Sequence, residues 1–186
     1  MSVLRTFIAV DAAPTPALRR LHDRLSELGD RFRPVSLANL HITLRFLGDT
    51  APSQLAPIGE LVRQAVELRD AFHVRLKGLG AFPHARRPSV VWLGLDQAEP
   101  LCQIAADLDR VLSTLGFLPE QRPFTPHLTL LRIKSRPPES LHSLLEKEAD
   151  TDFGMIEVNR VHFYQSELGR NGSKYTRLST ATLRGG

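Results

Sequence analysis

Two stretches of this sequence, NLHITLRFLG at residues 39–48 and TPHLTLLRIK at residues 125–134, share one short pattern. Each contains a His, an apolar residue, a Thr and a Leu in that order. For this composition, two chance occurrences of the string have a probability on the order of 0.002. The repetition therefore indicates that the two segments share a structural and chemical role.

Polar and apolar residues alternate along both segments, as is typical of a strand that is buried on one face. Strand geometry then places His41 and Thr43 on one face, and His127 and Thr129 on one face of the second strand. The same alternation predicts that Phe46 points into the core. We expect each strand to present an imidazole and a hydroxyl side by side.

The segments around the repeats predict an α+β protein. Helical periodicity indicates helices within 14–30, 53–70, 97–116 and 137–150. Alternating or β-branched runs indicate strands within 3–10, 31–36, 40–47, 72–82, 89–95, 122–133, 153–164 and 174–183. Each repeat is preceded and followed by a helix, which predicts two similar lobes packed together as a single domain over residues 1–186.

The composition is that of a globular protein, with 42% hydrophobic and 24% charged residues. There is no uninterrupted apolar stretch of membrane-spanning length and no basic leader at the N-terminus, so we expect a cytoplasmic protein without membrane association. The single Cys102, interpreted as a small core residue, fits a reducing compartment. The net charge of +4 is compatible with a polyanionic partner, but it is equally typical of a solvated surface.

Two His residues that meet in one cleft suit acid–base chemistry near neutral pH. One neutral imidazole can take a proton from a nucleophile while one imidazolium protonates a leaving oxygen, as displacement at phosphorus requires. The Thr hydroxyls would donate hydrogen bonds to the non-bridging phosphate oxygens. Metal binding is the rival use, but neither strand places an Asp, Glu, Cys or third His beside its motif His, so no metal site is predicted.

The chain resembles the 2H phosphoesterase superfamily, and within it the RNA 2',3'-cyclic phosphodiesterases, also called 2'-5' RNA ligases. The resemblance covers nearly the whole chain. It is carried by LRTFIAVDAAP at 4–14, NLHITLRFLGD at 39–49, RRPSVVWLGL at 86–95, FTPHLTLLR at 124–132 and FYQSELGRNGSKYTRL at 163–178.

This resemblance implies a bilobal fold with two pseudo-symmetric lobes, whose antiparallel sheets face a central cleft with the helices packed outside. It also implies metal-independent hydrolysis of terminal 2',3'-cyclic phosphates on RNA to 2'-phosphomonoesters, with no cofactor. Carried onto this sequence, His41 is the proton donor and His127 the proton acceptor, although the opposite assignment stays open. Thr43 and Thr129 would hold the phosphate.

The resemblance also implies that Phe46 lies near the terminal base and that Arg132 binds substrate. Strand alternation conflicts with both, because it turns these side chains away from the motif His residues unless a bulge intervenes. Alternation instead places Arg45 on the His face. Arg86 and Arg87 could contact RNA or form a solvated turn, and the loop at 165–174 could be a hairpin loop or a flap over the cleft.

Two alternatives to hydrolysis stay open. The same groups could run the reverse reaction and join a cyclic phosphate to a 5'-hydroxyl in a 2'-5' linkage. The second alternative is a catalytically silent module that binds nucleotides or RNA. The intact His and Thr in both motifs argue against it. We expect RNA or nucleotides bearing a 2',3'-cyclic phosphate as the partner, no obligatory protein partner, and a monomer.

Overall fold

The computed structural model describes residues 3–29, 32–169 and 172–186, and it contains two four-stranded antiparallel sheets. Lobe 1 contains, from one edge to the other, β2 (His41–Thr50), β1 (Leu4–Asp11), β7 (Arg160–Gly169) and β8 (Gly172–Thr182). Lobe 2 contains β5 (His127–Arg132), β4 (Val90–Asp96), β3 (Phe72–Phe82) and β6 (Asp152–Val158). Each motif strand is thus the edge strand of its sheet, and β2 contacts β5 where the lobes meet.

Four α-helices pack on these sheets: α1 (Pro16–Ser26), α2 (Leu55–Val66), α3 (Glu99–Leu112) and α4 (Glu139–Lys147). Helices α2 and α3 contact strands of lobe 1, whereas α1 and α4 contact strands of lobe 2. Because α1 precedes β2 and α3 precedes β5, each motif strand follows a helix that packs on the opposite lobe. These two crossings tie the lobes together.

The start of α1 illustrates how the sequence directs this crossing. The Thr15 hydroxyl caps the helix by accepting a hydrogen bond from the Leu18 amide at 3.1 Å, and Pro16 occupies the first turn, where its missing N–H costs nothing. The same hydroxyl donates to the Phe153 carbonyl of β6 at 2.5 Å, which fixes the helix to lobe 2. Leu18, Leu21 and Leu25 form the buried face of the helix.

One hydrophobic cluster spans both lobes. Its fully buried members include Ile8 and Ile42 from lobe 1 and Leu93 and Leu128 from lobe 2. Burial of one such side chain contributes about 1.5–3 kcal/mol to the free energy of unfolding. In each motif strand the residue after the His belongs to this cluster, so core packing fixes which face of the strand carries the His.

The predicted helices and the α+β arrangement are confirmed, and three local predictions were wrong. The segment predicted as one strand at 153–164 forms two, β6 and β7, which meet at Asn159. The strand predicted at 31–36 is reduced to an isolated bridge between Pro34 and Leu131, and residue 31 lies outside the described residues. Cys102 is exposed on α3, because it lies off the apolar stripe of that helix.

Both motif strands carry a β-bulge immediately after the Thr of the motif. In lobe 1 the register passes from Thr43 opposite Ala9 to Arg45 opposite Ile8, so that Leu44 has no partner. In lobe 2, Leu130 is left without a partner in the same way. A bulge of this type reverses the alternation of side chains beyond it.

Gly80→Ala is expected to destabilise the fold, because a Cβ there would lie 2.3 Å from the Trp92 ring, which would have to move. Overpacking of this kind costs about 1–3 kcal/mol of the free energy of unfolding, which urea denaturation measures. In a Trp92→Leu background the same substitution should cost clearly less. An equal cost in both backgrounds would show that the ring contact is not the cause.

Candidate active site

The first bulge places Phe46 on the same face as the motif His of lobe 1. His41 lies opposite Asp11, and Phe46 lies opposite Phe7. Directly opposed residues of an antiparallel pair project to the same face, and Asp11 and Phe7 share a face of β1. The prediction that Phe46 points into the core was wrong, since the bulge leaves its side chain 44% exposed.

The second bulge acts on Arg132 in the same way. His127 lies opposite Gly94, Thr129 opposite Trp92, and Arg132 opposite Val90. The partner residues 90, 92 and 94 share one face of β4, so Arg132 joins the His127 face. Phe46 and Arg132 are therefore equivalent positions of the two lobes, each three residues after its Thr.

The prediction that Arg45 lies on the His face was wrong. Arg45 is buried opposite Ile8, on the core side of the sheet. Its Nε lies 2.7 Å from Asp109 Oδ1 at an angle unsuited to a hydrogen bond, so the contact is an ion pair. Arg45 also pairs with Glu120, which makes it a structural cation that holds the segment before β5.

The two motif imidazoles are anchored identically. The Nδ1 of His41 lies 2.7 Å from the carbonyl of Asn39, and the Nδ1 of His127 lies 2.8 Å from the carbonyl of Thr125. A carbonyl only accepts, so Nδ1 carries the proton in each ring. Nε2 is therefore the atom that can take or give a proton, and within the described residues neither Nε2 has a hydrogen-bond partner.

The hydroxyls of the motif Thr residues are equally free. Neither Thr43 nor Thr129 forms a side-chain hydrogen bond with any residue that the structure describes. Both residues are only partly buried. Each lobe thus offers one imidazole nitrogen and one hydroxyl to a ligand.

The electrostatic surroundings of His41 include a residue of the second motif strand. Burial lowers the pKa of His41 below its usual value, against the hydrogen bond to Asn39 and the charge of Asp11, which raise it. The positive charge of Arg132 lowers the pKa of His41 further. An Arg of the second motif strand therefore lies within electrostatic range of the His of the first.

A polar and aromatic cluster that the sequence did not predict surrounds His41. Asp11, directly opposite His41, accepts hydrogen bonds from the Tyr164 hydroxyl at 2.6 Å and from Arg177 at 2.9 Å. Burial and the hydrogen bond to Asp11 raise the pKa of Tyr164 to about 12, so its hydroxyl stays protonated as a donor. The Tyr175 ring meets the His41 ring edge-on at 5.2 Å.

This cluster encloses a small cavity of about 190 Å³ beside the imidazole. It is lined by Asp11, Asn39, His41, Tyr164, Tyr175 and Arg177. Three of these residues come from β7 and β8, because that hairpin curls over toward β2. Asp11 lies opposite His41 because of the register between β1 and β2, and no pattern in the sequence reveals that register.

The sequence left open whether residues 165–174 form a hairpin loop or a flap. Strands β7 and β8 pair in antiparallel register as far as Gly169 opposite Gly172, and residues 170 and 171 lie outside the described residues. The Asn39 side-chain amide lies 3.5 Å from the Ser173 carbonyl, so the hairpin reaches the segment that leads into β2. The hairpin interpretation is confirmed, but residues 165–169 and 172–174 lie in its paired strands and not in a loop.

His127 has a different neighbourhood. The Phe82 ring meets its imidazole edge-on at 5.4 Å and lies 5.1 Å from the Trp92 ring. Opposite His127 stands Gly94, where lobe 1 has Asp11. The two imidazoles thus share their anchoring but differ in the charge beside them.

The described residues contain no group of three or more His, Cys, Asp or Glu side chains that could hold a metal ion. None of the helices in that part of the chain combines the length and the apolar character needed to span a bilayer.

Comparison with known proteins identifies the family. The sequence model of the 2'-5' RNA ligase superfamily matches residues 14–170. The chain belongs to this superfamily. A protein from Aeropyrum pernix named RNA 2',3'-cyclic phosphodiesterase is 40% identical over 163 residues, which cover 87% of this chain and 92% of that protein.

Solved structures of similar proteins agree with the superfamily assignment. TT0787 of Thermus thermophilus has a TM-score of 0.82 at 28% identity, covering 97% of this chain and 98% of that one. E. coli LigT in complex with 3'-AMP has a TM-score of 0.72 at 26% identity, covering 98% of this chain and 99% of that one. The predicted bilobal α+β fold of the 2H phosphoesterases is confirmed.

Arg45→Leu is expected to lower the free energy of unfolding by about 2–3 kcal/mol, because it leaves Asp109 without its buried cation. Urea denaturation measures this change. Arg63→Leu on α2 is the matched control, since Arg63 forms ion pairs only on the exposed surface, and its stability should not change measurably. Equal effects of the two substitutions would contradict a structural role for Arg45.

Asp11→Asn is expected to lower the pKa of His41 further, because it removes the negative charge that favours the imidazolium. NMR titration of the His41 ring measures this directly. Asp49→Asn, a charge-matched change near the other end of β2, should leave the titration as it is. A rise of the His41 pKa in Asp11→Asn would refute the electrostatic account.

Proposed function

We propose that this protein is an RNA 2',3'-cyclic phosphodiesterase, which hydrolyses a terminal 2',3'-cyclic phosphate to a 2'-phosphomonoester without a metal ion or cofactor. The observation that carries the proposal is the matched pair of motifs. Each supplies an imidazole with Nδ1 bound to a backbone carbonyl and Nε2 available, next to an unpaired Thr hydroxyl. The A. pernix relative carries the name of this activity.

The reaction needs one proton acceptor and one proton donor. In the proposed mechanism, His127 is neutral and its Nε2 takes a proton from water as the water oxygen bonds to phosphorus. His41 is protonated and its Nε2 gives a proton to the 3'-oxygen as the phosphorus–oxygen bond breaks. The products are a 2'-phosphate and a 3'-hydroxyl, and solvent exchange restores both imidazoles.

The surroundings of the two His residues support this assignment. The Asp11 carboxylate stands opposite His41 and favours its imidazolium, which a proton donor needs, whereas Gly94 stands opposite His127. Burial of His41 opposes the carboxylate in the free protein. A bound phosphate anion would add negative charge beside the imidazole and raise the pKa of His41.

The remaining proposed roles concern substrate binding. Thr43 and Thr129 donate hydrogen bonds to the non-bridging phosphate oxygens, where negative charge accumulates. Arg132 lies on the His127 face and binds the phosphate or its neighbour. Phe46 offers an exposed ring to the terminal base, and the guanidinium of Arg5 lies 4.9 Å from the centre of that ring. Since one chain supplies all these groups, residues 1–186 would act as a single bilobal catalytic domain and as a monomer.

Cleavage of an oligonucleotide that ends in a 2',3'-cyclic phosphate, measured in excess EDTA, tests the proposal. Wild-type protein should yield the 2'-phosphate, and His41→Ala and His127→Ala should each lose about 10²–10⁴-fold in rate. His142→Ala on α4 is the matched control and should retain full activity. Circular dichroism establishes that the variants are folded. No wild-type cleavage in EDTA, or full activity in either motif variant, would overturn the proposal.

Ligation in the reverse direction is a second candidate, favoured by the match to the 2'-5' RNA ligase superfamily. The acid of one direction is the base of the other, so the same two His residues would serve both. Mixing the cyclic-phosphate oligonucleotide with a 5'-hydroxyl oligonucleotide tests this activity. We expect joined product only at high RNA concentration, because water competes as the nucleophile, and its loss in the same two variants.

A further inference from the structure

Five exposed cationic side chains cluster at one end of lobe 2, and we call them the basic rim. They are Arg86, Arg87, Arg132, Lys134 and Arg136. None of them forms an ion pair with any residue that the structure describes. Elsewhere on the molecule many arginines are neutralised by carboxylates, as Arg24 is by Glu148 and Arg69 by Asp107.

Backbone hydrogen bonds hold the rim together. The loop that carries Arg86 and Arg87 is closed at its base by the Ser89 amide, which donates to the Phe82 carbonyl at 2.7 Å. The Ser89 carbonyl in turn accepts from the Ile133 amide at 2.8 Å. The loop therefore lies against the end of β5, where the remaining rim residues follow one another at alternate positions, 132, 134 and 136.

The rim adjoins the candidate active site. Phe82, which meets the His127 imidazole edge-on at 5.4 Å, directly precedes the loop, and its ring is 37% exposed. Arg132 belongs both to the rim and to the His127 face. A polyanion bound between the motif His residues could thus continue over the rim without crossing another surface.

The sequence around the rim is free of carboxylates. No Asp or Glu occurs between Asp70 and Asp96, or between Glu120 and Glu139. The five positive charges of the rim exceed the net charge of +4 of the whole chain, so the rest of the protein is close to neutral. The rim therefore carries more positive charge than the chain has in net.

We propose that the basic rim binds the phosphodiester backbone of the RNA chain on the 5' side of the terminal cyclic phosphate. Unpaired Arg and Lys beside an exposed aromatic ring is the pattern by which proteins hold single-stranded nucleic acid. This inference rests on the proposed function and specifies its substrate class. The preferred substrate is the end of an RNA chain, not a free nucleoside 2',3'-cyclic phosphate.

The other route away from the site is less suited to a polyanion. A larger cavity of about 760 Å³ lies beyond Phe46, against the segment of residues 115–122. Its charged lining residues are Arg45, Asp49, Glu120 and Arg122, and the buried Arg45 is neutralised by Asp109 and Glu120. Positive and negative side chains offset each other along this route, whereas the rim offers only positive charge.

A comparison of two substrates tests the inference. One is a nucleoside 2',3'-cyclic monophosphate, and the other is an eight-nucleotide RNA with the same terminal nucleotide. In Arg86→Ala/Arg87→Ala/Arg136→Ala, kcat/KM for the RNA should fall about tenfold or more, while that for the mononucleotide stays unchanged. The slope of log kcat/KM for the RNA against the logarithm of the salt concentration should become shallower by about 2. Each of the three lost phosphate contacts contributes about 0.7 to this slope.

The matched control is Arg19→Ala/Arg20→Ala/Lys147→Ala, which removes the same charge from α1 and α4. These side chains are exposed on helices that pack on lobe 2 and lie outside the rim. The control should cleave both substrates at the wild-type rate. If kcat/KM for the RNA fell as much in the control as in the rim variant, the effect would come from overall charge and not from the rim. That result would overturn the inference.

Binding separates this inference from the proposed function. The dissociation constant of the RNA bearing a terminal 2'-phosphate, measured by fluorescence anisotropy, should rise about tenfold in the rim variant and stay constant in the control. If the wild type hydrolyses neither substrate, the proposed function fails, and anisotropy still tests the rim. Equal losses on both substrates, or unchanged RNA binding, would overturn the rim assignment.

Discussion

The geometry of the candidate site depends on the residue that each motif strand leaves unpaired after its Thr. Leu44 and Leu130 are buried in the core, and each shifts the register of its strand by one position. Without these bulges, Phe46 and Arg132 would point into the core, and Arg45 and Leu131 would take their places on the faces that carry the motif His residues. Burial of the unpaired Leu stabilises the bulge, so the same apolar residue that builds the core also shapes the site.

The two lobes are built alike but are not chemically equivalent. Both imidazoles hold Nδ1 against a backbone carbonyl, which fixes Nε2 as the working nitrogen. Only His41 has a carboxylate opposite it, held by Tyr164 and Arg177, whereas His127 faces Gly94 and the Phe82 ring. Pseudo-symmetry thus provides two similarly anchored imidazoles, and the residues of the neighbouring strands give them different surroundings. The proposed mechanism needs one donor and one acceptor, and the carboxylate beside His41 suits this residue to the donor role.

Much of this arrangement was predictable from local patterns, and the rest was not. The repeated string predicted that His41 and Thr43 share one strand face and that His127 and Thr129 share another. This prediction needs only the local sequence, because alternate residues of a strand point to the same side. Arg45 was misassigned because a bulge depends on the pairing of two strands, which local alternation does not contain. Asp11 was missed for the same reason, since its position opposite His41 is a matter of register between segments that are distant in the sequence. The family resemblance had pointed to Phe46 and Arg132 against the alternation, and the bulges remove that conflict.

In the proposed mechanism, one His donates a proton and the other accepts one in the same step. The pH dependence of kcat/KM for a mononucleotide 2',3'-cyclic phosphate tests it most directly, in wild type and in His41→Ala and His127→Ala. Wild type should show a bell-shaped profile, His41→Ala should lose the alkaline limb that reports the donor, and His127→Ala should lose the acidic limb that reports the acceptor. Retention of both limbs in either variant, or loss of the same limb in both, would contradict the two-histidine mechanism.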